Sequence, residues 1–273
     1  MRLYAFCVYV FLYTPIAIIA LFSFSAGRSA SQFEGFSVKW YGRAVNNPFV
    51  MDALGNSIFV AFVSATLASI LGTLMAVGLQ GIRGPVRAFF DALIYIAVMI
   101  PGIVIGIATL IALVTVFDVV NPWIGTFWAD AAAAPKLSMG MGSLIAAHTM
   151  FTLALVVIIV RARLASLEGA LSEASADLYA TPFGTFRQVT LPLIAPAILA
   201  GFLLSFTFSF DDFIVAFFVA GSETTLPIYI FSSIRRGITP EVNAIGTMVM
   251  IASLILLIIA QLILRGGGTT PKR

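Results

Sequence analysis

Charged residues are scarce in this chain of 273 residues: Asp, Glu, Lys and Arg together make up 10% of it, and hydrophobic residues make up 60%. A soluble domain has about 25% charged and about 45–50% apolar residues, so this chain cannot face water on all sides. Cysteine and histidine are rarer still, with one of each. The lone thiol of Cys7 excludes an internal disulfide, and His148 has no second histidine with which to hold a metal ion. We interpret His148 as a buried imidazole of the core.

Motifs of several other function classes are also missing. The phosphate-binding pattern GxxxxGK[ST] does not occur, so any ATP chemistry must come from a partner. The sequence shows no basic face and no alternation of basic with aromatic residues, so the net charge of +3 does not indicate nucleic acid binding. The adjacent acids Asp211 and Asp212 have no histidine or cysteine beside them in the sequence, which argues against a membrane enzyme. A proton-driven secondary transporter stays open, because intramembrane acids can also relay protons.

Long apolar runs dominate what is present. A helix needs about 20 mostly apolar residues to cross a bilayer. Six runs meet this length, at residues 3–26, 54–80, 88–117, 142–160, 196–220 and 242–264. The pattern predicts an all-α polytopic membrane protein: one transmembrane domain over residues 1–273, with its core spans at about 54–264. Pro101 and Gly102 lie in the middle of the third run, where we expect them to loosen the helix.

Basic residues indicate the orientation of these spans, because Lys and Arg favour the cytoplasmic side. With the N-terminus inside, nine of them fall on the inner side and six on the outer side. The bias is clearest for Arg83 and Arg87, in a very short loop, and for Arg161 and Arg163, at the end of a span. We therefore expect both termini to be cytoplasmic.

The longest predicted cytoplasmic loop, residues 161–195, is expected to form an elbow of two short helices. Thr181 can cap the second helix, with Pro182 at its first position. Leu191 and Pro192 are expected to end that helix before the fifth span begins.

The first helix of this loop is expected to be amphipathic and to lie along another surface. Glu173 and Asp177 are four residues apart and share one helical face. Four leucines recur near helical spacing: Leu164, Leu167, Leu171 and Leu178.

The loop resembles the EAA motif of ABC-importer permeases. The matching residues are Glu173, Ala174, Asp177, Ala180, Val189, Leu191 and Pro192. Two positions depart from that motif, because Ser175 replaces its second alanine and Tyr179 replaces its glycine. A glycine there would suit a turn with positive φ, which costs another residue about 1–2 kcal/mol. Without a partner, the same leucines could simply rest on lipid headgroups.

The resemblance implies a type I ABC-importer permease fold in a bacterial inner (plasma) membrane. It implies that the elbow is a coupling helix for a separate ATPase, with Glu173, Ala174, Asp177, Ala180, Leu191 and Pro192 at the contact. The implied partners are two ATP-binding subunits, a second permease, an external substrate-binding protein and the lipid bilayer. No cofactor is expected in this chain, since ATP and Mg²⁺ would be bound by the ATPase.

Three further stretches resemble the spermidine/putrescine branch of these permeases. They are LGNS at 54–57, FSFDDFIVAFFVAG at 208–221 and LPIYIFSSIRRGITPEVNA at 226–244. The resemblance implies a small cationic cargo, with an amino acid, an opine or a related small solute as the alternative.

Two acids in the fifth predicted span are candidates for the substrate pathway. A carboxylate deep in a span costs about 2.5–3.5 kcal/mol on insertion scales, so Asp211 and Asp212 are not expected to face lipid. One of them could bind an ammonium group, with cation–π contacts from Phe208 and Phe213. Alternatively, both acids are structural and the rings only pack.

Overall fold

The computed structural model describes residues 2–29, 32–128, 130, 133–167, 169–237 and 239–266. These residues are predominantly helical. The helices are α1 (Arg2–Phe22), α2 (Lys39–Val45), α3 (Pro48–Gly78), α4 (Pro85–Met99), α5 (Gly102–Thr126), α6 (Met141–Ala165), α7 (Gly169–Asp177), α8 (Pro182–Thr185), α9 (Leu191–Asp211), α10 (Ile214–Val219), α11 (Leu226–Arg236) and α12 (Pro240–Gly266). A π-helical turn, Phe186–Thr190, joins α8 to α9.

Within the part of the chain that the structure describes, five helical segments are long and apolar enough to cross a membrane, and one further apolar helix is shorter. The long ones are Leu3–Phe22, Pro48–Gly78, Gly102–Thr126, Met141–Ala165 and Pro182–Asp211, and the shorter apolar helix is Pro240–Ile255. The long segments have 20 to 31 residues, which matches the roughly 20 residues that a bilayer requires. The predicted all-α polytopic membrane fold is confirmed.

The third predicted span, residues 88–117, is wrong as a single helix. Helix α4 ends at Met99, and Ile100 and Pro101 both have extended backbone, with ψ of 132° and 136°. Proline has no N–H to donate and disfavours helical geometry in the residue before it. Pro101 therefore ends α4, and the long apolar helix of this region is α5.

The bounds of the fifth predicted span, residues 196–220, are also wrong. Helix α9 begins at Leu191, so the Leu-Pro pair does not end a helix there. Pro192 lies in the first turn of α9, where a missing N–H costs no bond inside the helix. The helix ends at Asp211, and α10 starts separately after a break.

One compact unit comprises Asn56–Thr225, and its core lies where α3 and α9 pack on α6. A Cβ added to Gly72 would lie 2.8 Å from Cβ of Val156, and one added to Gly201 would lie 3.3 Å from its Cγ1. Both glycines thus allow a close approach to the same valine. Val156 and Val157 are fully buried there, as is Ile194 at the start of α9.

The other unit comprises Met1–Gly55 and Leu226–Arg273, of which the structure describes the residues given above. Helices α2 and α12 are in contact in it. Trp40 of α2 is buried, and its indole Nε1 donates a 2.8 Å hydrogen bond to the carbonyl of Ser25. The amide of Asn47 donates to the carboxylate of Glu241 at 3.0 Å and to the hydroxyl of Tyr229 at 3.2 Å. These polar contacts hold α11 and α12 to the segment that enters α3.

Candidate functional site

The elbow contains two short helices, as predicted. Thr181 has extended backbone before α8, and its Oγ1 accepts a 3.1 Å hydrogen bond from the amide of Gly184. Pro182 occupies the first helical position, where its fixed φ suits a helix start. The predicted cap and start of the second helix are confirmed. The end predicted for it is wrong, since the chain continues through the π-helical turn into α9.

The turn between α7 and α8 has positive φ at Tyr179. Its φ is +59°, and no other non-glycine residue in the described part of the chain has positive φ. This is the position where the EAA motif has glycine, and a bulky residue there costs about 1–2 kcal/mol. The second departure from the motif lies close by, since the side-chain oxygens of Ser175 and Thr185 form a hydrogen bond across the turn.

The elbow exposes charged and apolar side chains next to each other. Glu173, Ala174, Asp177 and Ala180 are all exposed. Large apolar side chains beside them are exposed as well: Leu178 by 81%, Tyr179 by 96% and Phe183 by 71%. Contiguous exposed apolar surface next to charged groups is typical of a binding face for another protein.

The four leucines do not form one amphipathic helix, so that prediction is wrong. Leu164 lies in the last turn of α6 and is buried, and Leu167 packs on the same core. Leu171, in α7, and Leu178, directly after α7, are exposed. The helical spacing seen in the sequence runs across the break between α6 and α7, which a periodicity argument cannot detect.

The two ends of the elbow are tied to the packed pair α6 and α9. Leu191 and Pro192 form the first turn of α9. Nε of Arg163, at the end of α6, donates a 3.0 Å hydrogen bond to the carbonyl of Leu193. A force on the elbow would therefore act on both helices together.

A charge cluster lies near the same end of α6. Arg161 forms an ion pair with Asp91 of α4, and Nε of Arg87 lies 3.7 Å from the other oxygen of that carboxylate. The pairing of Arg87 with Asp91 follows from their i, i+4 spacing on one helix. Arg161 is 70 residues away from Asp91 in sequence, so no local pattern predicts its part in the cluster.

Asp211 and Asp212 lie at a helix break, and not deep in a continuous helix as the insertion argument assumed. Asp211 is the last residue of α9 and is exposed. Asp212 has extended backbone and is partly buried, and its Oδ2 accepts a 2.9 Å hydrogen bond from the amide of Ala216 in α10. The structure thus separates the two acids, since Asp212 has a partner in the fold and Asp211 faces outward.

His148 lies beside this break, which the sequence did not predict. It is 1% exposed, and its Nε2 lies 3.6 Å from Oδ2 of Asp212. Its Nδ1 lies 2.7 Å from Oγ of Ser209, which in turn lies 3.0 Å from Oγ of Ser64. Three helices, α3, α6 and α9, therefore contribute to one buried polar cluster. Its members are too far apart in sequence for a spacing argument to find them.

The aromatic residues near the break fall into two groups. Phe208 of α9 is 50% exposed, and Phe213 lies in the break with its ring 5.4 Å from that of Phe217. Phe206 and Phe210 belong instead to a stacked row along α9, with ring centroids 6.1 Å apart. The row along α9 packs on itself, and the ligand contacts expected of Phe208 and Phe213 stay predictions.

The apolar helices of membrane-spanning length define the chain as a multi-pass membrane protein. Residues 68–266 match the family described as "Binding-protein-dependent transport system inner membrane component", and the chain belongs to this family. It is 37% identical to the spermidine/putrescine transport system permease protein PotC of Haemophilus influenzae, over 96% of this chain and 95% of that one. It is 35% identical to the putrescine transport system permease protein PotI of Escherichia coli K12, over 89% and 82%.

The fold is similar to that of a solved ABC transporter. A chain of a bacterial ABC transporter involved in the import of alginate superposes with a TM-score of 0.75, over 98% of this chain and 95% of that one, at 16% identity. The protein is thus an inner-membrane permease subunit of a binding-protein-dependent ABC importer. Members of this family are not catalytic and carry no bound cofactor, and ATP is hydrolysed by a partner subunit.

Proposed function

We propose that this permease forms half of the translocation pore of an importer for a small cationic solute, a polyamine such as spermidine or putrescine. The observation that carries the proposal is the exposed carboxylate of Asp211 at the end of α9. The relatives named for polyamine transport support the choice of cargo.

The surroundings of Asp211 suit an ammonium group. A carboxylate among apolar side chains attracts a cation more strongly than it would in water, because the local dielectric constant is lower. Phe208 is half exposed beside it in the sequence of α9, and its ring could add a cation–π contact. A polyamine carries several ammonium groups on an apolar chain, so it can use both kinds of contact.

The elbow is the part that we assign to coupling. Glu173, Ala174, Asp177 and Ala180 would contact the ATPase, and Leu191 and Pro192 would carry its movement into α9. The exposed apolar side chains of the elbow and the link from Arg163 to Leu193 support this assignment. In this account the complex contains two ATP-binding subunits, a second permease and an external substrate-binding protein. Both termini of this chain, like the elbow, are cytoplasmic.

The experiment that tests this function uses the intact complex in proteoliposomes. Solutes are presented on the binding protein, and both uptake and the stimulation of ATP hydrolysis are measured for spermidine, putrescine, an amino acid and an opine. We expect stimulation by a polyamine and not by the amino acid or the opine. Stimulation only by an amino acid or opine would contradict the cargo assignment, and uptake driven by a proton gradient without ATPase would contradict the importer mechanism.

A further inference from the structure

His148 and Asp212 form a close pair inside the protein, although 63 residues separate them in the chain. Nε2 of His148 lies 3.6 Å from Oδ2 of Asp212, and within the described residues this nitrogen makes no hydrogen bond. Buried polar atoms almost always have a partner, since an unsatisfied one is costly. The natural partner for Nε2 is the carboxylate that faces it.

The donors and acceptors of the cluster determine where its protons lie. The hydroxyl of Ser64 donates to the carbonyl of Val60. The hydroxyl of Ser209, 3.0 Å from that of Ser64, therefore donates a hydrogen bond to the Ser64 oxygen. His148 must then be the donor in its 2.7 Å contact with Ser209, through Nδ1–H.

This arrangement leaves one proton to be shared by His148 and Asp212. A neutral imidazole carries hydrogen on only one nitrogen, so Nε2 is then a bare acceptor. It faces a carboxylate that is also an acceptor, and the two attract each other only with one proton between them. Whichever atom holds that proton, the pair as a whole has no net charge.

The same carboxylate oxygen of Asp212 has a second contact. Its Oδ2 accepts the amide hydrogen of Ala216 in the first turn of α10. The imidazole on α6 and the start of α10 thus fix one carboxylate in the break. Its neighbour Asp211 has no such enclosure and is exposed.

We propose that His148 is a positioning residue for cargo passage, which holds Asp212 in the break so that Asp211 alone presents a net charge to the cargo. The inference rests on the proposed function, because it assumes a cationic cargo. In this arrangement His148 acts through Asp212 and does not touch the cargo. A histidine that merely filled space would be replaceable by any side chain of similar volume.

Two substitutions at His148 separate these roles. The amide of glutamine reaches about as far as Nε2 and can donate to a carboxylate or accept from a carboxyl group. The amide of asparagine reaches only as far as Nδ1, so His148→Asn keeps the contact with Ser209 and loses that with Asp212. We expect His148→Gln to retain at least about half of wild-type spermidine uptake and His148→Asn to lose about tenfold, as for a lost hydrogen bond to a charged group.

A double-mutant cycle then tests whether His148 acts through Asp212. If it does, His148→Asn should cause no further loss of uptake in a protein that already carries Asp212→Asn. In a protein that carries Asp211→Asn, His148→Asn should still lower uptake by its full factor, since Asp211 is outside the pair. Uptake is measured in proteoliposomes of the intact complex with spermidine on its binding protein, and each value is divided by the amount of assembled complex.

Each outcome decides the question. Equal uptake in His148→Asn and wild type, a smaller loss in His148→Asn than in His148→Gln, or failure of both variants to assemble would overturn the inference. Additive losses from His148→Asn and Asp212→Asn would overturn it as well. If the wild-type complex transports no spermidine or putrescine, the proposed function fails. The cycle is then run with the solute that the complex does transport, and coupling restricted to His148 and Asp212 would still support the positioning role.

Discussion

The side-chain oxygens of Ser175 and Thr185 lie 2.8 Å apart, so a hydrogen bond joins the two short helices of the elbow. Ser175 and Tyr179 are the two positions at which the sequence departs from the EAA motif. Tyr179 has φ of +59°, a conformation in which a non-glycine residue is strained. We infer that the contact made by Ser175 offsets part of the strain at Tyr179.

Removing this contact should loosen the elbow. Ser175→Ala and Thr185→Val each delete one partner, and we expect each to cost about 0.5–1.5 kcal/mol of local stability. Hydrogen exchange of the amides of α7 measures this as faster opening. The double variant should cost no more than either single one, and additive effects would show that the two hydroxyls act independently.

Replacing Tyr179 by glycine should relieve the strained turn. The gain of about 1–2 kcal/mol is partly offset by the greater flexibility of glycine in the unfolded chain, about 0.5–1 kcal/mol. We expect a small net stabilisation of the isolated permease, measured by slower proteolysis of the loop. Tyr179→Ala is the control, because alanine has the same strain. Equal protection by alanine would contradict this explanation.

Reversing the charge at Glu173 tests the coupling role of the elbow. Glu173 is exposed in α7, so Glu173→Lys should allow membrane insertion and docking of the binding protein. We expect it to abolish the stimulation of ATP hydrolysis by loaded binding protein. Glu34→Lys is a matched charge change at an exposed residue outside the elbow, and it should retain the stimulation. Normal stimulation in Glu173→Lys would remove Glu173 from the contact.

The orientation of the chain can be tested with reporter tags. Tags after residue 273 and in the segment 81–87 should be cytoplasmic, because that segment holds Arg83 in the loop and Arg87 in the first turn of α4. Tags near residues 30 and 130 should be external. Labelling of residues 165–190 from outside sealed cells would contradict any contact of the elbow with a cytoplasmic ATPase.

Local signals predicted local structure well. Thr181 and Pro182 indicated a capped helix start because the cap and the proline act within one turn, and the structure has both. Pro101 was recognised as a perturbation, but the sequence does not tell a kink from a complete break, which depends on what packs around it. The positive φ of Tyr179 likewise agrees with the turn expected at its position in the motif.

Sequence patterns did not predict contacts between residues that are far apart in the chain. His148 appeared to have no acid near it in sequence, yet the packing of α6 against α9 brings Asp212 to 3.6 Å. The same packing brings Ser64 and Ser209 into one cluster, though neither serine stands out from the many others in apolar helices. The adjacent acids Asp211 and Asp212 were identified from the sequence, but the helix break that gives them different environments was not predicted.

The central claim, an importer permease that moves a cationic solute past Asp211, is tested most directly by spermidine uptake in Asp211→Asn. Asparagine is nearly isosteric but uncharged, so the change removes charge and little else. A charge pair at about 4 Å is worth on the order of 4 kcal/mol at an effective dielectric constant near 20. Even if desolvation leaves only about a quarter of this, apparent affinity should fall several-fold. The account predicts that loss of uptake in fully assembled complex, and full uptake with unchanged apparent affinity would contradict it.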